Sequence, residues 1–93
     1  MMIKKDYISE IEFIDIFADN LRDLMIEADL SQTELAEASD LTRASINRYL
    51  NKQRMPDTRA IMNLCYALGC TYSDLLPTYS LINWYLERRK VNE

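Results

Sequence analysis

The chain has 93 residues and a net charge of −4, and 48% of its residues are hydrophobic, a balance typical of one small globular domain. One glycine and two prolines leave little material for hairpin turns, which favours an all-α fold. The absence of histidine excludes a Ser-His or Cys-His catalytic pair, and a single glycine cannot form a glycine-rich phosphate loop. We therefore expect no enzyme activity, no cofactor and no metal site.

The chain lacks the long apolar runs that mark membrane spans and secretory signals. This pattern predicts a cytoplasmic protein. Cys65 and Cys70 lie in or beside an apolar helical run, and in that compartment we expect both to be reduced and to serve as small hydrophobic residues.

The first predicted element is an amphipathic helix from about Ile11 to Ala28, whose other face is largely acidic. Its apolar positions recur every three or four residues: Ile14, Phe17, Ala18, Leu21, Leu24, Met25 and Ala28. A capping box, Ser31 with Glu34, then opens a short second helix that contains three apolar residues. These are Leu35, Ala36 and Ala38.

A tight connection at Asp40 leads to Thr42, which is expected to cap a third helix that continues to Asn51. The periodicity of this helix divides its residues between two faces. The inward face contains Ile46, Tyr49 and Leu50, and the outward face contains Arg43, Ala44, Asn47 and Arg48.

A polar loop over residues 51–56 precedes a fourth helix, which Asp57 caps and Gly69 ends. The apolar stripe of this helix consists of Ile61, Leu64, Cys65 and Leu68. Thr71 and Asp74 begin a short fifth helix, which Pro77 closes. The remaining residues, 78–93, contain enough apolar and aromatic side chains for one more helix.

The charge is distributed unevenly. Residues 1–40 carry three cations and eleven carboxylates, a net charge of −8, whereas residues 41–93 have a net charge of +4. Within residues 41–59 alone, five cations face one carboxylate. A DNA backbone responds to the local field of the face that it meets, so an acidic total does not exclude DNA binding. From charge alone, an ordinary solvated polar face is an equally good interpretation.

Two short helices joined by a tight turn, the second with cations on its outer face, are typical of a helix-turn-helix. From Leu21 to Leu76 the chain resembles the Cro/C1-type (XRE-like) domain of phage repressors and bacterial regulators. The resemblance rests on LSQTELA at 30–36, LTRASI at 41–46, YLN at 49–51, Pro56 and ALGCTYSDLL at 67–76. It implies a lambda-repressor-like five-helix domain over 17–77 with an additional C-terminal helix over 78–93, in one domain spanning 1–93.

The chain departs from the family pattern at four positions. Asp40 and Lys52 stand where the family often has glycine, and both must tolerate a left-handed conformation. Met25 and Leu50 stand where many members pair an arginine with a glutamate. Because both partners are apolar here, we predict that they meet in the core.

The resemblance implies that the helix starting at Thr42 enters the major groove of an operator. The expected base-contacting residues are Thr42, Arg43, Ala44, Ser45, Asn47 and Arg48. The expected phosphate-contacting residues are Gln32, Asn51, Lys52, Arg54 and Arg59. If about six phosphates are engaged, log K should fall against log salt with a slope near −5.

Domains of this size usually bind palindromic sites as dimers. The C-terminal segment is a candidate dimer contact through Tyr79, Ile82, Tyr85 and Leu86, although packing on the first helix of its own chain is the slightly favoured interpretation. The leading interpretation is a prophage or bacterial transcription regulator, most simply a repressor. The alternative is an antitoxin or antirepressor that uses the same fold and binds a protein partner on its acidic N-terminal face.

Overall fold

The computed structural model describes residues 8–77, which form five helices and no strand. They are α1 (Glu10–Ala28), α2 (Gln32–Ser39), α3 (Arg43–Leu50), α4 (Thr58–Leu68) and α5 (Tyr72–Leu75). The all-α prediction is confirmed for this part of the chain. The predicted helix over 78–93 and its proposed dimer contacts lie outside the described residues.

Side-chain caps set the start of the longer helices. Ser31 Oγ accepts from the Glu34 N–H at 3.1 Å, and Glu34 Oε1 accepts from the Ser31 N–H at 2.9 Å, which confirms the predicted capping box of α2. An equivalent box at Ser9 and Glu12 starts α1 at Glu10, one residue before the predicted start. The predicted cap of α4 is also present.

Four residues adopt the left-handed conformation, three of them at helix ends. Gly69 ends α4 with φ 63°, as predicted. Asp40 and Lys52 have φ 56° and 61°, which confirms that both tolerate the conformation that glycine would adopt most readily. Asp29 ends α1 in the same way, with φ 54°.

The core draws residues from all five helices. Its fully buried large side chains are Phe17, Leu21, Leu35, Ile46, Leu64 and Leu75. The Phe17 and Tyr49 rings meet edge to face with centroids 5.7 Å apart, which packs α1 against α3. One predicted position is wrong, because Ala28 is exposed. Ala28 is the last residue of α1, beyond the turn that packs on the core.

Ser39 is buried at the end of α2, although its residue type is usually exposed. Its hydroxyl donates to the Leu35 carbonyl at 2.6 Å, so burial leaves no unsatisfied donor.

The C-terminal end of α3 is held from α1. Met25 and Leu50 are both 8% exposed and belong to the same buried cluster, which confirms that both lie in the core, and their direct contact stays a prediction. One turn before Met25, Arg22 donates from Nη2 to the Leu50 carbonyl oxygen at 3.2 Å. A cation therefore still supports the end of α3, through a backbone carbonyl.

Candidate nucleic-acid interface

The two faces of α3 are separated as the sequence predicts. Ile46, Tyr49 and Leu50 are buried against the core, and the opposite face is exposed. That face consists of Arg43, Ala44, Asn47 and Arg48. Thr42 caps the helix by accepting from the Ser45 N–H at 3.0 Å, which fixes the start of α3 relative to the turn at Asp40.

A chain of amide side chains connects α2 to the end of α3. Asn47 Nδ2 donates to Gln32 Oε1 in a long contact of 3.5 Å, and Asn51 Nδ2 donates to Asn47 Oδ1 at 3.1 Å. Gln32 is the first residue of α2, where backbone N–H groups also point outward. The structure thus brings together three residues that the sequence assigned separately to base and phosphate contacts.

Ser45 is more constrained than a free base-contacting side chain. Its Oγ accepts from the Thr42 hydroxyl at 2.9 Å and from Arg54 Nη1 at 3.2 Å. Both acceptor sites of the hydroxyl are therefore occupied, and only its own proton remains to be donated. Arg54 consequently lies beside the first turn of α3, although it belongs to the loop that follows the helix.

Two of the predicted phosphate-binding cations are already paired with carboxylates. Lys52 Nζ lies 2.5 Å from Asp15 Oδ1 and 3.5 Å from Asp19 Oδ1. Its hydrogen bond to Asp15 is the main cause that raises the pKa of Lys52. Arg59 Nη2 lies 2.7 Å from Asp40 Oδ2. Sequence reasoning missed these pairs, which join residues 37 and 19 positions apart.

Four arginines lack a carboxylate partner among residues 8–77: Arg22, whose guanidinium donates to the Leu50 carbonyl oxygen, and three others at the interface. The three at the interface are Arg43, Arg48 and Arg54, each exposed and each on or beside α3. Within the described residues, the cationic surface that can meet a phosphate or a base without first breaking an ion pair is therefore concentrated at this helix.

Two other classes of site find little support in residues 8–77. No three His, Cys, Asp or Glu side chains there are grouped so that they could hold a metal ion, and no helix there could span a membrane. Cys65 and Cys70 are free thiols, and burial raises the pKa of Cys70 to about 12.

Five helices, in which α3 follows α2 across a left-handed turn and displays arginines outward, define a helix-turn-helix DNA-binding domain. The family model for the Cro/C1-type HTH DNA-binding domain matches residues 20–79. The chain belongs to this family, as its sequence resemblance implied.

Solved structures agree with this assignment. The restriction-modification controller protein C.AhdI from Aeromonas hydrophila is 31% identical, with a TM-score of 0.64 over 67% of this chain and 94% of its own. NHTF, a hypothetical transcription factor from Neisseria, is 24% identical, with a TM-score of 0.68 over 86% of this chain and 94% of its own. An HTH_3 family regulator from Vibrio cholerae is 16% identical, with a TM-score of 0.70 over 72% of this chain and 38% of its own. The last two show the fold alone. No curated protein sequence matches the chain significantly.

Proposed function

We propose that this DNA-binding regulator is a transcriptional repressor that occupies an operator by inserting α3 into the major groove. The observation that carries the proposal is the composition of the exposed face of α3. Arg43 and Arg48 are displayed there without a carboxylate partner among residues 8–77, while the opposite face is buried. The α-helix has the width that the major groove admits.

Each outward residue of α3 has a contact suited to its chemistry. Arg43 and Arg48 can each donate two hydrogen bonds to guanine O6 and N7. Asn47 can pair with adenine, and its contact with Gln32 limits the orientations of its amide. Ala44 can pack against a thymine methyl group. Thr42 and Ser45 act at the start of the helix, where each is already hydrogen bonded.

The backbone contacts fall on both sides of α3. Gln32 and the N-terminal N–H groups of α2 would bind one phosphate, and Asn51 would bind another at the far end. Arg54 would contact the flanking strand beside Ser45. Lys52 and Arg59 can contribute once they exchange their carboxylate partners for phosphate oxygens.

We propose that two copies bind together on a palindromic site, with their α3 helices about 34 Å apart. Repression then needs only occupancy, because a bound dimer covers the groove that another protein would use. The proposed contact through Tyr79, Ile82, Tyr85 and Leu86 belongs to this proposal. A crosslinking or sedimentation measurement on the full chain, with Tyr85→Ala and Leu86→Ala variants, tests it.

Selection from random-sequence duplexes tests the function. The wild type should enrich a motif, and Arg43→Ala or Arg48→Ala should cost about 1–3 kcal/mol at particular base positions. Arg59→Ala is the matched control, because Arg59 belongs to α4 and should change affinity without changing the motif. Absence of DNA binding at low salt, together with a stable complex with a co-encoded protein, would favour the antitoxin or antirepressor interpretation.

A further inference from the structure

The Lys52 side chain, at the end of α3, is paired with two carboxylates of the first helix. Lys52 Nζ contacts the carboxylates of Asp15 and Asp19, which lie one turn apart on α1. The three side chains are 42%, 55% and 60% exposed, respectively. The ammonium group is therefore within reach of a phosphate oxygen, yet it is already neutralised by two carboxylates.

The backbone of Lys52 is fixed, whereas its side chain has alternatives. Lys52 immediately follows the C-cap residue Asn51 and has a φ of 61°. Its N–H donates to the Tyr49 carbonyl at 3.1 Å. The Cα therefore stays at the end of α3, and four flexible methylene carbons carry the charge. Rotation of these bonds is enough to exchange a carboxylate of α1 for a phosphate beside α3.

The exchange has a small cost, since exposed ion pairs contribute little to stability. Two carboxylates on one ammonium also leave a local charge of −1 when Lys52 is paired. This charge repels a phosphate that approaches the end of α3 within a Debye length of about 8 Å. The free protein therefore presents a neutralised cation and an excess anion at that end of the interface.

We propose that Asp15 and Asp19 are affinity-setting residues that compete with DNA phosphate for Lys52. This inference rests on the proposed function and adds a regulatory element to the same site. The competition weakens binding to every duplex, so only a sequence that also offers base contacts to Arg43 and Arg48 is occupied firmly. The carboxylates of α1 thus discourage retention on non-specific DNA.

The Asp15→Asn/Asp19→Asn variant of the full chain tests the proposal on a random-sequence duplex, with binding measured over a series of salt concentrations. We expect this variant to bind about two- to fivefold more tightly than wild type at low salt, the range that a surface ion pair can contribute. The slope of log K against log salt should become more negative by about 0.9. In the variant, Lys52 neutralises one more phosphate without first giving up a carboxylate partner.

The matched control is Asp23→Asn/Glu27→Gln. It removes two charges from the same helix at the same four-residue spacing, and neither carboxylate makes an ion pair among residues 8–77. A general electrostatic effect would raise the affinity of both double variants equally. We expect the Asp15→Asn/Asp19→Asn variant to bind DNA more tightly, and with a steeper salt slope, than the control variant. Equal affinities and equal slopes for the two variants would overturn the proposal.

The Lys52→Gln background supplies a second test. Without the ammonium group, the two double variants should change DNA affinity by the same factor. If the pair at 15 and 19 still raised the affinity more than the control pair, the mechanism would be contradicted. Circular dichroism checks that each variant is folded. If wild type binds DNA and the two double variants have the same affinity and salt slope, only the inference about Asp15 and Asp19 fails. If neither wild type nor any variant binds DNA at low salt, the proposed function fails with it.

Discussion

The contact between Arg22 and the end of α3 provides a quantitative test of what stabilises α3 against the rest of the domain. Arg22 Nη2 donates to the Leu50 carbonyl oxygen at 3.2 Å, and this oxygen belongs to the last turn of α3, where no further helical N–H follows. Arg22→Met removes the guanidinium while retaining an unbranched chain that can pack on the same surface. We expect this substitution to destabilise the domain.

The magnitude follows from the geometry. A hydrogen bond to a charged group contributes about 1.5–3 kcal/mol when it is well formed and shielded. The distance of 3.2 Å is at the long end of the normal range, and Arg22 is exposed, so we place the contribution near 1 kcal/mol. This contribution includes the favourable interaction of the Arg22 cation with the negative C-terminal end of α3.

Urea unfolding followed by far-ultraviolet circular dichroism measures this change. With a slope of about 1–2 kcal/mol per molar urea for a domain of this size, the midpoint should fall by roughly 0.5–1 M. Arg43→Met is the matched control, because Arg43 is exposed at the positive end of α3 and has no carboxylate partner among residues 8–77. Its removal should leave the midpoint unchanged or slightly raised. Equal losses for both variants would refute the assigned role of Arg22.

Three further measurements test other features. The Ser31 amide and hydroxyl lower the pKa of Glu34, so the ionised carboxylate stabilises the fold at pH values above its ordinary pKa. Below about pH 4.5, the free energy of unfolding should therefore decrease more steeply in wild type than in Ser31→Ala. Because Asp40 has φ 56°, Asp40→Gly should be about 1 kcal/mol more stable than Asp40→Ala in thermal unfolding, both having lost the same ion pair. With the pKa of Cys70 raised to about 12, iodoacetamide at pH 8 should modify the folded protein at least about a hundredfold more slowly than the urea-unfolded protein. An equal rate in the two states would contradict the raised pKa of that half-buried thiol.

The local features of the fold could be read from the sequence because each depends on residues a few positions apart. Ser31 with Glu34 and the glycine stop at Gly69 are examples. The division of α3 into buried and exposed faces follows equally from its 3.6-residue period. The Ser9 box was missed, although its signal, Ser followed three residues later by Glu, was present in the sequence.

The contacts that modify the candidate site could not be predicted in the same way. Lys52 meets Asp15 only after α1 and α3 pack together, and no spacing rule relates positions 37 residues apart. Arg54 lies beside Ser45 because the loop after α3 folds back along the helix. Periodicity describes one helix at a time, whereas these contacts depend on how helices and loops are placed relative to one another.

The ion pairs change the expected electrostatics of binding. If the cations at 52 and 59 release carboxylates as they meet phosphate, the uncompensated charge at the interface within residues 8–77 comes from three arginines, which are Arg43, Arg48 and Arg54. The contribution of these three arginines to the salt slope should then be near −2.7, shallower than the value near −5 that the sequence suggests for six phosphates. Two of these three cations lie on the exposed face of α3. With so few free cations at the interface within residues 8–77, this part of the chain contributes little affinity for arbitrary DNA, and occupancy of a site then depends mainly on the base contacts of that helix.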